Sequence, residues 1–228
     1  MDVYFPNPFP DDCVFHCEKI KSYELDIHPY ELMISQSYKS DKRRNEFLTG
    51  RHCAHQTFRQ IGFPDLPILK SRNRSPIWPF NIVGSISHGA DLAAAIIRKL
   101  HSNICGIGID IEDLSRKIRT NITDYVLTPW EVNRWIKNRK ELTLETRLIF
   151  SIKESIYKCF QPIDRIALGF HDAEITDITQ QSFTARLLKN PFKTESGLPL
   201  IVTGKVFVKN SIVLSAIKAD ISLLNQRK

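Results

Sequence analysis

No run of this sequence is apolar for long enough to span a bilayer, so a transmembrane helix is not expected. The first twenty residues, "MDVYFPNPFPDDCVFHCEKI", have neither a basic start nor an apolar stretch, which argues against a secretory leader. Cysteine is sparse, scattered and odd in number. The five residues Cys13, Cys17, Cys53, Cys105 and Cys159 form no paired framework and read as reduced thiols of a cytoplasmic protein. Cys13 and Cys17 are spaced like half of a metal clamp, but no second Cys/His pair at zinc-finger spacing follows. Low-complexity tracts and long Gly/Ser linkers are missing. "GIGID" (106–110) lacks the third glycine of a dinucleotide fingerprint, and no helix opens after it. No zinc finger or RNP signature points to nucleic acid.

What remains is a chain of 228 residues, enough for one large domain or two small ones with a real core. Its net charge is +7, and the basic residues cluster in "KSDKRR" (39–44), "KSRNR" (70–74), "SRKIR" (115–119) and "RWIKNRK" (134–140). Such a surface attracts a polyanion: nucleic acid, a phosphorylated cofactor or an acidic protein. Charge alone does not choose among them.

The pattern predicts a helix over about 40–61, capped by Ser40 or Asp41 and ended by Gly62 and Pro64. A Pro-rich turn region (64–79) follows, then strands over 82–88, 92–98 and 104–112. "LTPWEVNRWIK" (127–137) reads as a short helix with Thr128 as cap and Pro129 at its first position. A long helix covers about 144–160, and strands fit 170–176, 182–188, 200–208 and 212–219. Each half thus carries one long helix among strands. Arg44, Phe47 and Phe58 in the first helix echo Arg147, Phe150 and Phe160 in the second, suggesting two similar α+β halves that meet near residue 105.

Two stretches carry chemistry. In "GIGIDIE", Ile107, Ile109 and Ile111 point to one face of a strand, and Gly108, Asp110 and Glu112 to the other. Two carboxylates held side by side suit a hard divalent cation; equally, they suit an edge strand with a solvated acidic face. In "FSIKESIYKCF" (150–160), Ser151, Glu154 and Lys158 share one stripe of a helix. They form either a surface ion pair or the edge of a site. If that helix packs beside the strand, Glu154 completes a three-carboxylate set and Lys158 lies one turn on. A metal and a lysine together suit a pyrophosphate.

These stretches resemble the paired signature of the 4′-phosphopantetheinyl transferases, roughly G-[IV]-D-x-E and then [FW]-[SCT]-x-K-E-[SA]-x-x-K. Upstream, "RRNEFLTGRHCAHQTFRQIG", "SPIWP" and "VGSISH" are similar to the subgroup typified by enterobactin synthetase component D. The resemblance covers about residues 40–160 in order. It departs at Asn81, where glycine is common, and at Gly89, where cysteine is frequent.

The resemblance implies an α+β enzyme of two pseudo-twofold-related halves, each a long helix on a small, mainly antiparallel sheet. The halves would be residues 1–105, contacting nucleotide and phosphate, and residues 106–228, with the metal site and signature helix. The enzyme would move 4′-phosphopantetheine from coenzyme A, its substrate, to a serine of an acidic carrier protein, releasing 3′,5′-ADP with Mg²⁺ as cofactor. By motif position Asp110, Glu112 and Glu154 match the metal ligands, and Glu154 and Lys158 the catalytic pair, Lys158 also contacting the phosphates. Arg44, Arg51, Ser87 and His88 match coenzyme A contacts. Glu154 would take the serine proton, directly or through a water. Lys153 matches the signature's first lysine but turns away from the stripe. His52 and His55 read as helix-surface residues, Trp78 and Trp130 as packing, and Glu131 as a residue orienting the site or touching the carrier. A monomer without nucleic-acid or membrane partners is expected, serving siderophore or other secondary-metabolite carriers. The alternatives are a metal-dependent nucleotide or phosphoester hydrolase and a basic RNA-binding module.

Overall fold

The computed structural model describes residues 4–21, 27–100, 104–116, 122–136, 143–164, 168–189 and 199–220. The chain divides into two compact units, Met1–His101 and Ser102–Lys228. The fold is α+β with antiparallel sheets.

The first unit holds β1 (Val14–Lys19), α1 (Pro29–Ser35), α2 (Asp41–Gln60), β2 (Leu69–Lys70), β3 (Pro76–Ile77), β4 (Ile82–Gly89) and β5 (Leu92–Lys99). Its main sheet has the order β1-β5-β4, and β2 pairs with β3. The two-residue turn between β4 and β5 places both Ala90 (φ 51°) and Asp91 (φ 58°) in the left-handed region, the hairpin geometry that matches strand twist. As the sequence predicts, α2 starts after Ser40 and ends before Gly62, whose φ of 61° closes the helix. Cys53, Ala54 and Phe58 of α2 pack on Ile82, Ala93, Ala95 and Ile97 of the sheet, and Trp78 joins this core.

The second unit holds β6 (Ile104–Asp113), α3 (Ile122–Val126), α4 (Pro129–Trp135), α5 (Thr143–Asp164), β7 (Ala173–Ile178), β8 (Ser182–Leu187), β9 (Leu200–Lys209) and β10 (Ile212–Asp220). The strands form one sheet, β6-β10-β9-β8-β7. Ile149, Ile152, Ile156 and Phe160 of α5 pack on Ile175, Phe183, Val202, Val213 and Ile217. Predicted strand 170–176 begins later, because Phe170–Asp172 forms a 3₁₀ turn in which Asp172 Oδ2 accepts from the Gly169 amide at 2.7 Å. The short elements β1, α1, β2, β3 and α3 are absent from the sequence reading. Parts of the basic runs at 115–119 and 134–140 lie outside the described residues. Cys13, Cys17, Cys53 and Cys159 are free thiols; the side chain of Cys105 lies outside the described residues. Among the described residues, no helix is long and apolar enough to cross a membrane.

Candidate active site

In the second unit, the expectation of a solvated acidic face on β6 does not hold. Both faces are buried: Ile107, Ile109 and Ile111 on one, Gly108 and Asp110 on the other, with Glu112 half-buried. The reason is Gly108. A Cβ there would lie 1.9 Å from the Ser155 carbonyl oxygen and 2.7 Å from the Cys159 amide nitrogen, so the α5 backbone rests directly on the strand. Ser151 joins the contact; its hydroxyl lies 2.9 Å from that of Ser215, the residue opposite Asp110 on β10. Small residues on β6, β10 and α5 allow this approach, and the approach sets the Glu154 and Lys158 edge of α5 beside the acids.

The helix lysine bonds to the strand acid rather than pairing with Glu154 alone. Lys158 Nζ donates to Asp110 Oδ1 at 2.6 Å. Arg147, one of the echoed arginines, donates from Nη1 to Glu112 Oε2 at 2.9 Å. Burial, reinforced by the Asp110 charge, raises the Glu112 pKa, with Arg147 and Lys158 opposing. Burial likewise raises Glu154, against the pull of Lys158 and with a push from Asp110. Three carboxylates therefore feel one another on one face, with cations resting on two of them. Among the described residues, no three carboxylate, imidazole or thiol groups are drawn closely enough to hold a metal as they stand. The chemistry of the set still fits a hard divalent cation: every donor is a carboxylate oxygen, and the crowded charge is what such a cation relieves.

Glu154 also borders a largely apolar cavity of about 170 Å³, lined by Tyr125, Ile156, Tyr157, Leu168 and Phe170 among others. Its wall is fixed by Lys153. That ammonium is buried and donates to Glu131 Oε2 (2.6 Å), Val126 O (2.7 Å) and Phe170 O (2.7 Å), so all three of its protons are used. Burial lowers its pKa and Glu131 opposes this. Glu131, wholly buried, closes a capping box with Thr128 and accepts from the Ile175 amide at 2.7 Å. It braces Lys153 and the start of β7 and is too buried to meet a carrier protein; Lys153 turns away from the stripe because Glu131 holds it.

The first unit offers the opposite charge. A cavity of about 440 Å³ is lined by Arg43, Arg51, Lys70, Arg74 and His88, with one acid, Glu46, and the rings of Tyr38 and Phe47. Arg51 is buried. Its Nε donates to Ile68 O at 2.9 Å and its guanidinium lies 4.6 Å from the Phe47 ring centre. Burial, against Glu31 and Tyr38, brings its pKa to about 10, so it stays cationic at neutral pH. His88 Nδ1 lies 3.7 Å from Glu46 Oε2. Arg44 is exposed and outside this lining, as is Ser87, whose neighbour His88 takes the cavity face of β4 while Ser87 is buried on the other. Arg43, Lys70 and Arg74 come from the basic runs 39–44 and 70–74, which the sequence marks as polyanion-attracting without singling out these three side chains.

Both histidines of α2 depart from the surface expectation. His52 is half-buried, 3.7 Å from Glu18 on β1. His55 is only 1% exposed, because two carboxylates hold it: Nε2 lies 2.9 Å from Glu31 Oε2 and Nδ1 2.5 Å from Asp65 Oδ1.

Comparison with known proteins gives the family. Residues 30–98 match the 4′-phosphopantetheinyl transferase N-terminal domain, and residues 106–202 the 4′-phosphopantetheinyl transferase superfamily. The chain is 35% identical over 182 residues to the 4′-phosphopantetheinyl transferase PptT of Mycobacterium tuberculosis, covering 77% of this chain and 79% of that protein. The chain belongs to the 4′-phosphopantetheinyl transferases. Two further relatives are the transferase Npt of Nocardia iowensis (32% identical; 85% of this chain and 90% of that one) and enterobactin synthase component D of Salmonella typhimurium (31%; 82% and 79%). As a phosphopantetheinyl transferase the protein is an enzyme: it takes the 4′-phosphopantetheine group from coenzyme A and attaches it to a carrier protein. The hydrolase and RNA-binding alternatives draw no support from these relatives.

Proposed function

We propose that the two sites divide this transfer by charge. The basic cavity of the first unit receives phosphate groups of coenzyme A on Arg51 and His88, with Arg43, Lys70 and Arg74 completing the receptor. The observation that carries this reading is the cavity itself: four Lys/Arg side chains and a histidine around one acid is a receptor for a polyanion. Arg44 and Ser87 are assigned to parts of the same substrate outside the cavity.

In the second unit, Asp110, Glu112 and Glu154 would hold Mg²⁺. Such a cation would stabilise the charge that develops on the departing 5′-phosphate of 3′,5′-ADP. Lys158 then leaves Asp110 and supports the pyrophosphate of coenzyme A. Glu154 accepts the proton of the carrier serine as its oxygen bonds to the β-phosphorus and the bond to the 3′,5′-ADP leaving group breaks. The neutral arm of coenzyme A suits the apolar cavity that Glu154 borders.

The +7 charge favours an acidic carrier domain. The likeness to enterobactin synthase component D points to carriers of siderophore assembly. We infer a cytoplasmic monomer that uses no nucleic acid. The test is to compare initial rates with coenzyme A and with its form lacking the 3′-phosphate, each in Mg²⁺ and in EDTA. A strong preference for the phosphorylated donor and no turnover in EDTA are expected. Equal use of both donors overturns the basic-cavity assignment, and full rate in EDTA overturns the metal assignment.

A further inference from the structure

Behind Arg51 lies a chain of buried charge that the transfer chemistry does not itself use. Glu31, wholly buried at the start of α1, accepts from the Ile68 amide at 2.7 Å through Oε1 and meets His55 Nε2 at 2.9 Å through Oε2. Its Oε1 is also 4.0 Å from Arg51 Nε. His55 in turn meets Asp65, which is more than half exposed and lies outside the cavity lining. Ile68, whose carbonyl accepts from Arg51, leads directly into β2 and so to Lys70, a second lining residue. One carboxylate thus ties together an arginine of the cavity, the strand that carries its lysine, and a histidine with carboxylates at both ring nitrogens.

We propose that Glu31, His55 and Asp65 act as positioning residues that set how strongly Arg51 holds a phosphate in the cavity, and that they make this hold depend on pH. The proposal rests on the reading of that cavity as the coenzyme A phosphate site. His55 is hydrogen-bonded to Glu31 through Nε2, while Asp65 lies 2.5 Å from Nδ1 but out of line for a hydrogen bond, so the two carboxylate charges favour the imidazolium; the neutral ring would present a lone pair to one of them. With the proton on, His55 balances Glu31, and the Arg51 charge is left for the ligand. With the proton off, the Glu31 charge faces Arg51 without a counter-ion and competes with the phosphate. The charged groups at His55 are Glu31 from α1 and Asp65 from the loop after α2, and Arg51, one turn back on α2, reaches the same Glu31. Burial alone would lower the His55 pKa, but the bond to Glu31 and the fields of Glu31 and Asp65 outweigh it and the pKa is raised. The hold on phosphate is therefore full at low pH and weakens as pH rises through that elevated value. His88, on the cavity wall, adds its own step, and that step is present in every variant.

The experiment is calorimetric titration of coenzyme A into the full-length protein in EDTA, without carrier, from pH 6 to 9. Wild type should bind more weakly as pH rises. Asp65→Asn should begin to weaken at a pH lower by about half a unit, since one of the two carboxylates holding the proton is gone. His55→Gln should bind about tenfold more weakly at pH 6.5. His55→Arg, a fixed cation, should keep wild-type affinity and hold it to high pH. A merely structural role would not give rescue by Arg. Identical pH curves for wild type and Asp65→Asn overturn the proposal, and that arm decides even where a His55 variant fails to fold. Lys70→Ala separates the two readings. If it binds as wild type does, the cavity assignment falls and this proposal with it. If it loses affinity while Asp65→Asn is unshifted, only the relay is wrong.

Discussion

The two units use one device to opposite ends. In the first, His28-Pro29-Tyr30-Glu31 opens α1, and Glu31 binds the amide of Ile68 and a histidine of the long helix α2. In the second, Thr128-Pro129-Trp130-Glu131 opens α4, and Glu131 binds the amide of Ile175 and a lysine of the long helix α5. Each glutamate is wholly buried and joins a short helix, a long helix and the chain beyond it. Yet the cavity on α2 is lined with bases, and the edge of α5 faces acids. The clamp recurs in both units; the sign of each site is set by other side chains, Arg51 one turn before His55 in the first and Glu154 with the β6 acids in the second. Two details fix that choice. Arg51 shares its nearest acid, Glu31, with His55, and Lys158 reaches Asp110 because Gly108 lets α5 sit on β6.

The largest test of this contrast is Glu154→Gln. Turnover kinetics should show kcat/KM falling at least about a thousandfold, about 4 kcal/mol, with an unchanged circular dichroism spectrum. Near-normal carrier modification by the folded variant would leave the acids of the second unit without a catalytic role. Next come the clamps. Glu131→Ala strands the buried Lys153 ammonium and should cost about 3 kcal/mol of stability in denaturant melts. Glu31→Ala should destabilise as well; a neutral result in either would mean the two units are not built alike. Lys158→Ala follows, with kcat/KM lower by about a hundredfold, about 2.7 kcal/mol. It also leaves Asp110 buried beside other acids, so its Tm should drop in EDTA and recover in Mg²⁺. Full activity with no such Mg²⁺ effect would reduce Lys158 to an ornament of the helix surface.

Much of this was legible in the chain. Helix α2 is legible from its start after Ser40, whose side chain makes no cap hydrogen bond, to its terminating glycine, and the apolar segments of β4 to β6 and β8 to β10, most of them bounded by turn residues, mark strands. The acids of β6 and α5 were readable as one set because a period of two and a period of 3.6 each place them on a single face. What the sequence concealed was contact across distance. That Lys158 meets Asp110, 48 positions away, depends on how deeply α5 settles, which Gly108 decides. His55 looks like a polar residue on a helix surface until Glu31 and Asp65 fold over it. The signal for the clamps was present, since "HPYE" and "TPWE" repeat a cap, a proline, an aromatic residue and a glutamate. Its meaning lies in amides at Ile68 and Ile175 that no local pattern announces.

The division of charge between the units is tested most directly by metal-free binding of coenzyme A to Arg51→Ala and Asp110→Asn, measured by calorimetry at one pH. The account predicts that Arg51→Ala binds about tenfold more weakly than wild type, about 1.4 kcal/mol, while Asp110→Asn binds at least as tightly because a like charge has been removed. The opposite order, with Asp110→Asn losing affinity and Arg51→Ala keeping it, would contradict the account.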